Sequence, residues 1–171
     1  DLHINLCAYF LDIDNLIRWV PDESGLWRPL NTAEANNYGL ELFADWTVKL
    51  FGNQLNLSGN YAFTQSIDKE TNKQLIYTPQ HKAAVCTGYK LEGFTMMWQM
   101  LYNGSIYISS DNAYELDDYM LSNFNVGYSI SSKPEIGISV QVNNLFNEKY
   151  QSLPSRIMPG RSFQSTLTFK F

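Results

Sequence analysis

The sequence predicts an all-β chain, an antiparallel up-and-down transmembrane β-barrel portion of about eight strands. Three observations carry that expectation. Apolar and polar residues alternate with a period of two through one segment after another, the signature of strands with one apolar and one polar face. The connections between segments alternate strictly between long and short, as in membrane barrels with short periplasmic turns and long extracellular loops. Finally, the 171 residues include 11 Tyr, 10 Phe and 4 Trp but are only 17% charged. No window approaches the ~20 apolar residues of a membrane helix.

Taken in order, Leu2, Ile4, Leu6, Ala8 and Phe10 alternate with polar or small neighbours and open a first strand running to about Trp19. The stretch from Pro21 to about Asn36 carries Pro-Asp-Glu-Ser-Gly chemistry and predicts a long polar loop. A second strand alternates from Tyr38 to Leu50, and Phe51-Gly52-Asn53-Gln54 predicts a tight turn. The third runs over 55–64 and leads into a polar loop from about Ile67 to Pro79. The fourth runs over 83–91, turns at Leu91-Glu92-Gly93, and continues as a fifth from Phe94.

Ser109 to Asp118 is polar and acidic, hence loop. The sixth strand spans 123–130, the turn Ser131 to Pro134 follows, and the seventh spans 136–143. A loop to Gly160 precedes the eighth, where Phe163, Leu167, Phe169 and Phe171 share one side and Ser162, Gln164, Thr166, Thr168 and Lys170 the other. The aromatic residues Trp46, Tyr89, Trp98, Tyr128 and Phe171 are expected in interfacial girdles. Half-buried strands of a soluble β-sandwich are the competing reading of the same alternation.

Twelve basic against 17 acidic residues give a net charge of −5, with no basic cluster, which argues against a nucleic-acid partner. Cys7 and Cys86 show no metal-site spacing and read as small strand residues. Whether they approach each other is left open. His3 and His81 find no Ser and Asp to build a hydrolytic triad, so no catalytic residue and no enzyme is expected. Asp12-Ile13-Asp14-Asn15 and the acids between Asp111 and Asp118 lack the Gly and closing Glu of a calcium loop. They are expected to be solvated loop acids, with no metal and no cofactor.

The closing residues carry more than periodicity. Asn143-Asn144-Leu145-Phe146-Asn147-Glu148-Lys149-Tyr150, followed by Pro159-Gly160-Arg161-Ser162-Phe163, resembles the closing pattern of TonB-dependent outer-membrane receptors. The segments IDNLIRW and NTAEANNYGLELFADW, over 100 residues upstream, resemble the same family independently, and the run at 77–82 resembles its strand opening. Arg156-Ile157-Met158-Pro159-Gly160-Arg161 is similar to the approach to the last strand in cobalamin receptors. Siderophore receptors share much of that pattern.

The resemblance implies a ~22-stranded barrel around a plug, of which residues 1–171 would be the C-terminal portion. Nothing here resembles the plug or the TonB-binding box, and no signal peptide opens the chain, so a mature chain or a fragment is expected. The resemblance further implies the cell outer membrane as location and TonB-dependent uptake of a scarce large nutrient, an iron-siderophore or cobalamin. The implied partners are the lipid bilayer, the TonB complex through the missing N-terminal part, the barrel-assembly machinery and a small-molecule ligand such as a metal chelate. Phe163, Leu167, Phe169 and Phe171 would form the assembly signal. Loop residues with aromatic or cationic chemistry are the ligand candidates: Trp19, Trp27, Arg28, Tyr107, Tyr114, Arg156 and Met158. A free-standing eight-stranded barrel with an adhesin or structural role is the alternative. A soluble binding module and an outer-membrane enzyme are further competitors.

Overall fold

A computed structural model describes residues 1–21, 26–130 and 135–170. Eight long strands form one antiparallel sheet: β1 Leu2–Pro21, β2 Trp27–Leu50, β3 Asn53–Asp68, β4 His81–Leu91, β5 Phe94–Asn103, β6 Tyr119–Ile130, β7 Glu135–Asn143 and β8 Ser162–Lys170. Each strand pairs with its neighbours in sequence, so the order is up-and-down throughout, and β1 and β8 are the outer strands. Two short ribbons decorate the long loops. One pairs Ile106–Tyr107 with Glu115–Leu116, and the other pairs Gln151–Leu153 with Arg156–Ile157.

The register puts every apolar alternation on one face. Leu6 lies opposite Leu42, Leu42 opposite Tyr61, Tyr61 opposite Ala83, and Ala83 opposite Tyr102. Further along, Met96 faces Val126, Val126 faces Val140, and Val140 faces Ser165. Between the two aromatic ends this face holds no Asp, Glu, Lys or Arg. The opposite face carries Asn5, Glu41, Asn60, Lys82, Gln99, Asn125, Gln141 and Gln164.

The apolar face is not a protein core. Ile4 is 65% exposed, Leu6 63% and Phe163 72%, and the buried apolar residues among the described ones are Ala35 and Ile106. A sandwich would cover such a face with a second sheet; here hydrocarbon has to solvate it. The soluble-sandwich reading fails on this point.

The tight turns follow the sequence. Phe51 and Gly52 have φ of 51° and 81°, Glu92 and Gly93 of 40° and 89°. Positive φ at both central residues is the two-residue hairpin geometry that matches strand twist. The third short connection, residues 131–134, and Phe171 of the expected assembly signal lie outside the described residues. Phe163, Leu167 and Phe169 share the apolar face of β8, opposite Val142, Ile138 and Ile136.

Two expectations need correction. Most of the stretch expected as a loop is strand instead: Trp27 to Asn36 belong to β2, which pairs with β1 as far as Pro21 opposite Trp27, while residues 22–25 lie outside the described residues. At ~3.3 Å per residue, β1 is roughly 65 Å long, far beyond the ~25 Å apolar band of a membrane barrel. Above that band both faces meet water, so apolar alternation disappears while the backbone ladder continues. A bulge at Ile13–Ile17, with Asn15 at φ 59°, marks the change. Second, Trp98 is no girdle residue. It sits mid-strand in β5, where its indole N–H donates to Ser122 Oγ at 2.7 Å, which satisfies both polar groups on the apolar face. The cysteines are free, separated by the widths of β2 and β3, beyond disulfide reach at ~4.8 Å per strand.

Candidate functional site

The long connections all leave one end of the sheet, and they are tied to one another. Lys69, just past β3, forms ion pairs with Asp12 of β1, with Asp14 Oδ1 at 3.3 Å, and with Glu34 Oε2 of β2 at 3.4 Å. Its backbone N–H also donates to the Glu34 carbonyl at 2.9 Å. The Asp12 bond foremost, and then Asp14, holds the Lys69 ammonium above its ordinary range. The Asp12 and Asp14 carboxylates are exposed, as expected of solvated acids, but they lie in β1 and clasp Lys69. Among the described residues no group of three or more His, Cys, Asp or Glu is arranged to hold a metal ion.

The next tie is made by Gln74 and Asn112. Asn112 Oδ1 accepts from the Gln74 backbone N–H at 3.0 Å, and Asn112 Nδ2 donates to the Gln74 carbonyl at 2.9 Å. Gln74 is itself buried, and its Oε1 accepts from the Ser66 N–H at 3.2 Å. Tyr77 N–H donates to the Tyr107 carbonyl at 2.9 Å alongside. Asp111 closes the turn that presents Asn112. The Ser109 hydroxyl first, then the Ala113 N–H, hold the Asp111 carboxyl below its usual range.

The last loop is pinned by the residues that carry the family resemblance. Asn144, at φ 50°, accepts from Glu148 N–H at 2.8 Å and donates to the Glu148 carbonyl at 2.9 Å. Asn147, at φ 56°, accepts from the Arg161 N–H at 2.9 Å. A Cβ on Gly160 would come within 2.7 Å of Asn147 Oδ1, so a side chain there would push aside the amide that makes that bond. The Arg161 guanidinium donates to the Leu145 carbonyl at 3.3 Å. Tyr150 packs against Tyr119 with ring planes tilted by 36° and centroids 4.4 Å apart, and the two short ribbons touch.

The seven ligand candidates fall into three groups. Trp19, Trp27 and Arg28 share the upper part of the β1–β2 hairpin, with Trp19 opposite Pro29 and Arg28 opposite Val20. Trp19 is 61% exposed. Tyr107 lies in the first ribbon opposite Glu115, and Tyr114 beside it is 68% exposed. Arg156 is exposed in the second ribbon. Met158 is half-buried against its own loop, with Ser152 Oγ 3.4 Å from its Sδ. The ribbon contact brings the second and third groups together, while the hairpin group stands apart across the Lys69 clasp. Lys69, Gln74 and Asn112 were missed from the sequence, and Asn144 was read there only as part of the closing pattern. The available signal was asparagine in turns, where it accepts positive φ and bonds the backbone.

An uncharged apolar outer face, a polar inner face and a connected set of long loops define the wall of a membrane-spanning β-barrel with a structured extracellular rim. The chain belongs to the TonB-dependent receptor-like β-barrel family, whose model matches residues 1–145. Its place is the cell outer membrane. It is 28% identical over 171 residues to the vitamin B12 transporter BtuB of Photobacterium profundum, covering 98% of this chain and 27% of that protein. It is 29% identical over 129 residues to the ferrioxamine B receptor of Salmonella typhimurium, covering 68% of this chain and 18% of the receptor. The siderophore receptor PiuA of Acinetobacter baumannii superposes with a TM-score of 0.76 at 20% identity, over 99% of this chain and 26% of that one. The chain thus spans about a quarter of the length of such relatives.

Proposed function

We propose that residues 1–171 are the C-terminal part of the barrel of an active-transport receptor, which takes up a scarce, large nutrient of the cobalamin or iron-siderophore type. The observation that carries this reading is the family match over residues 1–145, joined to likeness across 98% of the chain with a vitamin B12 transporter. An open sheet cannot persist in hydrocarbon, because the free edges of β1 and β8 would leave backbone groups unpaired. In the complete receptor, further strands complete the ring and a plug fills the polar lumen. TonB, drawing on the proton-motive force, displaces that plug after ligand settles among the extracellular loops. Trp19, Trp27, Arg28, Tyr107, Tyr114, Arg156 and Met158 are the contacts this part offers, and the role is transport rather than catalysis.

The test is uptake by source cells lacking the receptor gene, supplied with radiolabelled cyanocobalamin or with ferric siderophores. Loss of accumulation of one ligand class, restored by the intact gene and abolished by a proton uncoupler, is the expected result. Undiminished uptake of both classes would sink the proposal.

A further inference from the structure

Where the 69–80 and 104–118 loops meet the ends of β4 and β5, a cavity of about 230 Å³ opens on the outer wall of the barrel. Its position follows from register. His81 lies opposite Phe63, and Tyr102 opposite Ala83, all on the lipid-facing side at the ends of β3–β5 that lead into the long loops. Below it, Tyr61 donates to or accepts from His81 Nδ1 at 2.7 Å, and the Phe63 and His81 rings sit 5.3 Å apart. This is the aromatic belt, where rings with one apolar and one wet end mark the limit of the hydrocarbon. The cavity begins where that belt stops, at headgroup height.

Its chemistry is specific. Besides amides from Gln74 and Gln80 and phenols from Tyr102 and Tyr107, its described lining holds two hydroxyls, the His81 imidazole and one carboxylate, Asp118, but neither Lys nor Arg. A phosphate site would need cations, and Asp118 would repel an anion. One carboxylate is too few for a hard metal ion. An apolar ligand would strand the polar groups. Amides that both donate and accept, beside a carboxylate that only accepts, suit a ligand dense in hydroxyls. Tyrosine rings supply an apolar surface for the C–H face of such a ring. The Tyr102 phenol and the Asp118 carboxylate line the same cavity, and a carboxylate has lone pairs to spare for ligand.

The walls are set in advance. The loop is drawn in by Gly104 N–H donating to the His81 carbonyl at 2.8 Å, where a Cβ on Gly104 would lie 2.9 Å from that oxygen. The Gln74–Asn112 clamp and the Tyr77–Tyr107 backbone bond hold the other side. The volume falls below the ~300–1,000 Å³ of drug-sized sites, which suits a single sugar ring.

We propose that this outer-wall cavity binds a neutral sugar unit at the membrane surface, carried by a glycolipid headgroup of the outer leaflet or by a free saccharide. The test reads saccharide binding rather than nutrient uptake, so its failure would leave the transport reading intact.

The experiment uses the full-length receptor purified in detergent. One probe is the oligosaccharide released by mild acid from the source cells' own outer-leaflet glycolipid; the other is the intact glycolipid in phosphatidylcholine vesicles. Both are measured against wild type, Asp118→Asn and Tyr107→Ala, with heat-modifiable migration confirming a folded barrel. Binding about tenfold weaker in each variant is expected. Binding of the released oligosaccharide would assign the site to sugar alone, and variant-sensitive binding of the intact glycolipid only would assign it to the headgroup in place. Should Asp118→Asn fail to assemble, Ser105→Trp fills the same cavity and should abolish binding. Equal binding by wild type and variants, no binding of either probe, or displacement by inorganic phosphate would overturn the proposal.

Discussion

Asparagine and serine at a few positions decide how the rim and wall hold their polar groups. Asn144 combines a positive φ, which costs other L-residues roughly 1–2 kcal/mol, with two side-chain bonds to the Glu148 backbone at a site only 5% exposed. Replacing it with alanine strains the turn and strands buried backbone groups. Asn144→Ala should therefore cost about 2–4 kcal/mol, read as a lower thermal midpoint for heat-modifiable migration of the full receptor. An unchanged midpoint would contradict this account. Ser122, 1% exposed, is the acceptor for the Trp98 indole. Ser122→Ala leaves that N–H unpaired and should cost about 1–3 kcal/mol, whereas Trp98→Phe with Ser122→Ala removes both partners and should recover part of the loss. The depressed Asp111 carboxyl gives a pH signature as well. Its contribution is present above the ordinary carboxylate range of ~3.9 and is lost as pH falls through its lower folded value. Amide exchange over 109–113 should accelerate only at strongly acidic pH, and Asp111→Asn should remove that step.

At the scale of strands, period-two alternation was legible from the sequence wherever lipid lies on one side and the lumen on the other. Leu2–Phe10, Tyr38–Leu50 and Phe163–Phe169 all keep the faces read from the sequence. The reading stopped where that asymmetry stops. Beyond Ile13, β1 and β2 continue as a ladder in water, and their Pro- and Asn-rich residues looked like a loop because no apolar face remained to reveal them. The long-range clasps were equally hidden, since Lys69 meets Asp12 and Gln74 meets Asn112 only once the loops fold together. The ligand candidates were chosen by residue chemistry, which says which side chains bind well but not which loops converge. The alternation itself makes a sharp forecast in β7. Val140 points into lipid and its neighbour Ser139 into the lumen. Val140→Arg should destabilise the barrel by about 2–4 kcal/mol, measured by denaturant unfolding in lipid vesicles, while Ser139→Arg should stay within about 1 kcal/mol. Equal penalties at both positions would mean that the two faces have been misassigned.

Across the whole chain, ties run from the β1–β2 hairpin through Lys69 to the 69–80 loop, through Asn112 to the 104–118 loop, and through the ribbons and Tyr119–Tyr150 to the 144–161 loop. The rim is thus one connected wall, and the weakest link is the one that rests most on charge. Three carboxylates share Lys69, and its raised pKa gives the clasp a definite pH range. A raised folded value means its contribution is complete below the unfolded lysine value of ~10.4 and fades only as pH climbs through the higher folded one. At neutral pH the clasp is closed, and salt rather than mild alkali should loosen it. Lys69→Met removes the cation and leaves Asp12, Asp14 and Glu34 to repel one another. Protease added to intact cells should then cleave the hairpin above Ile13 several-fold faster than in wild type, while heat-modifiable migration stays unchanged. Lys69→Arg, which keeps the charge, should restore resistance. If Lys69→Met cells resist protease as wild type does, the hairpin is held by its own backbone ladder and the clasp contributes nothing to its position.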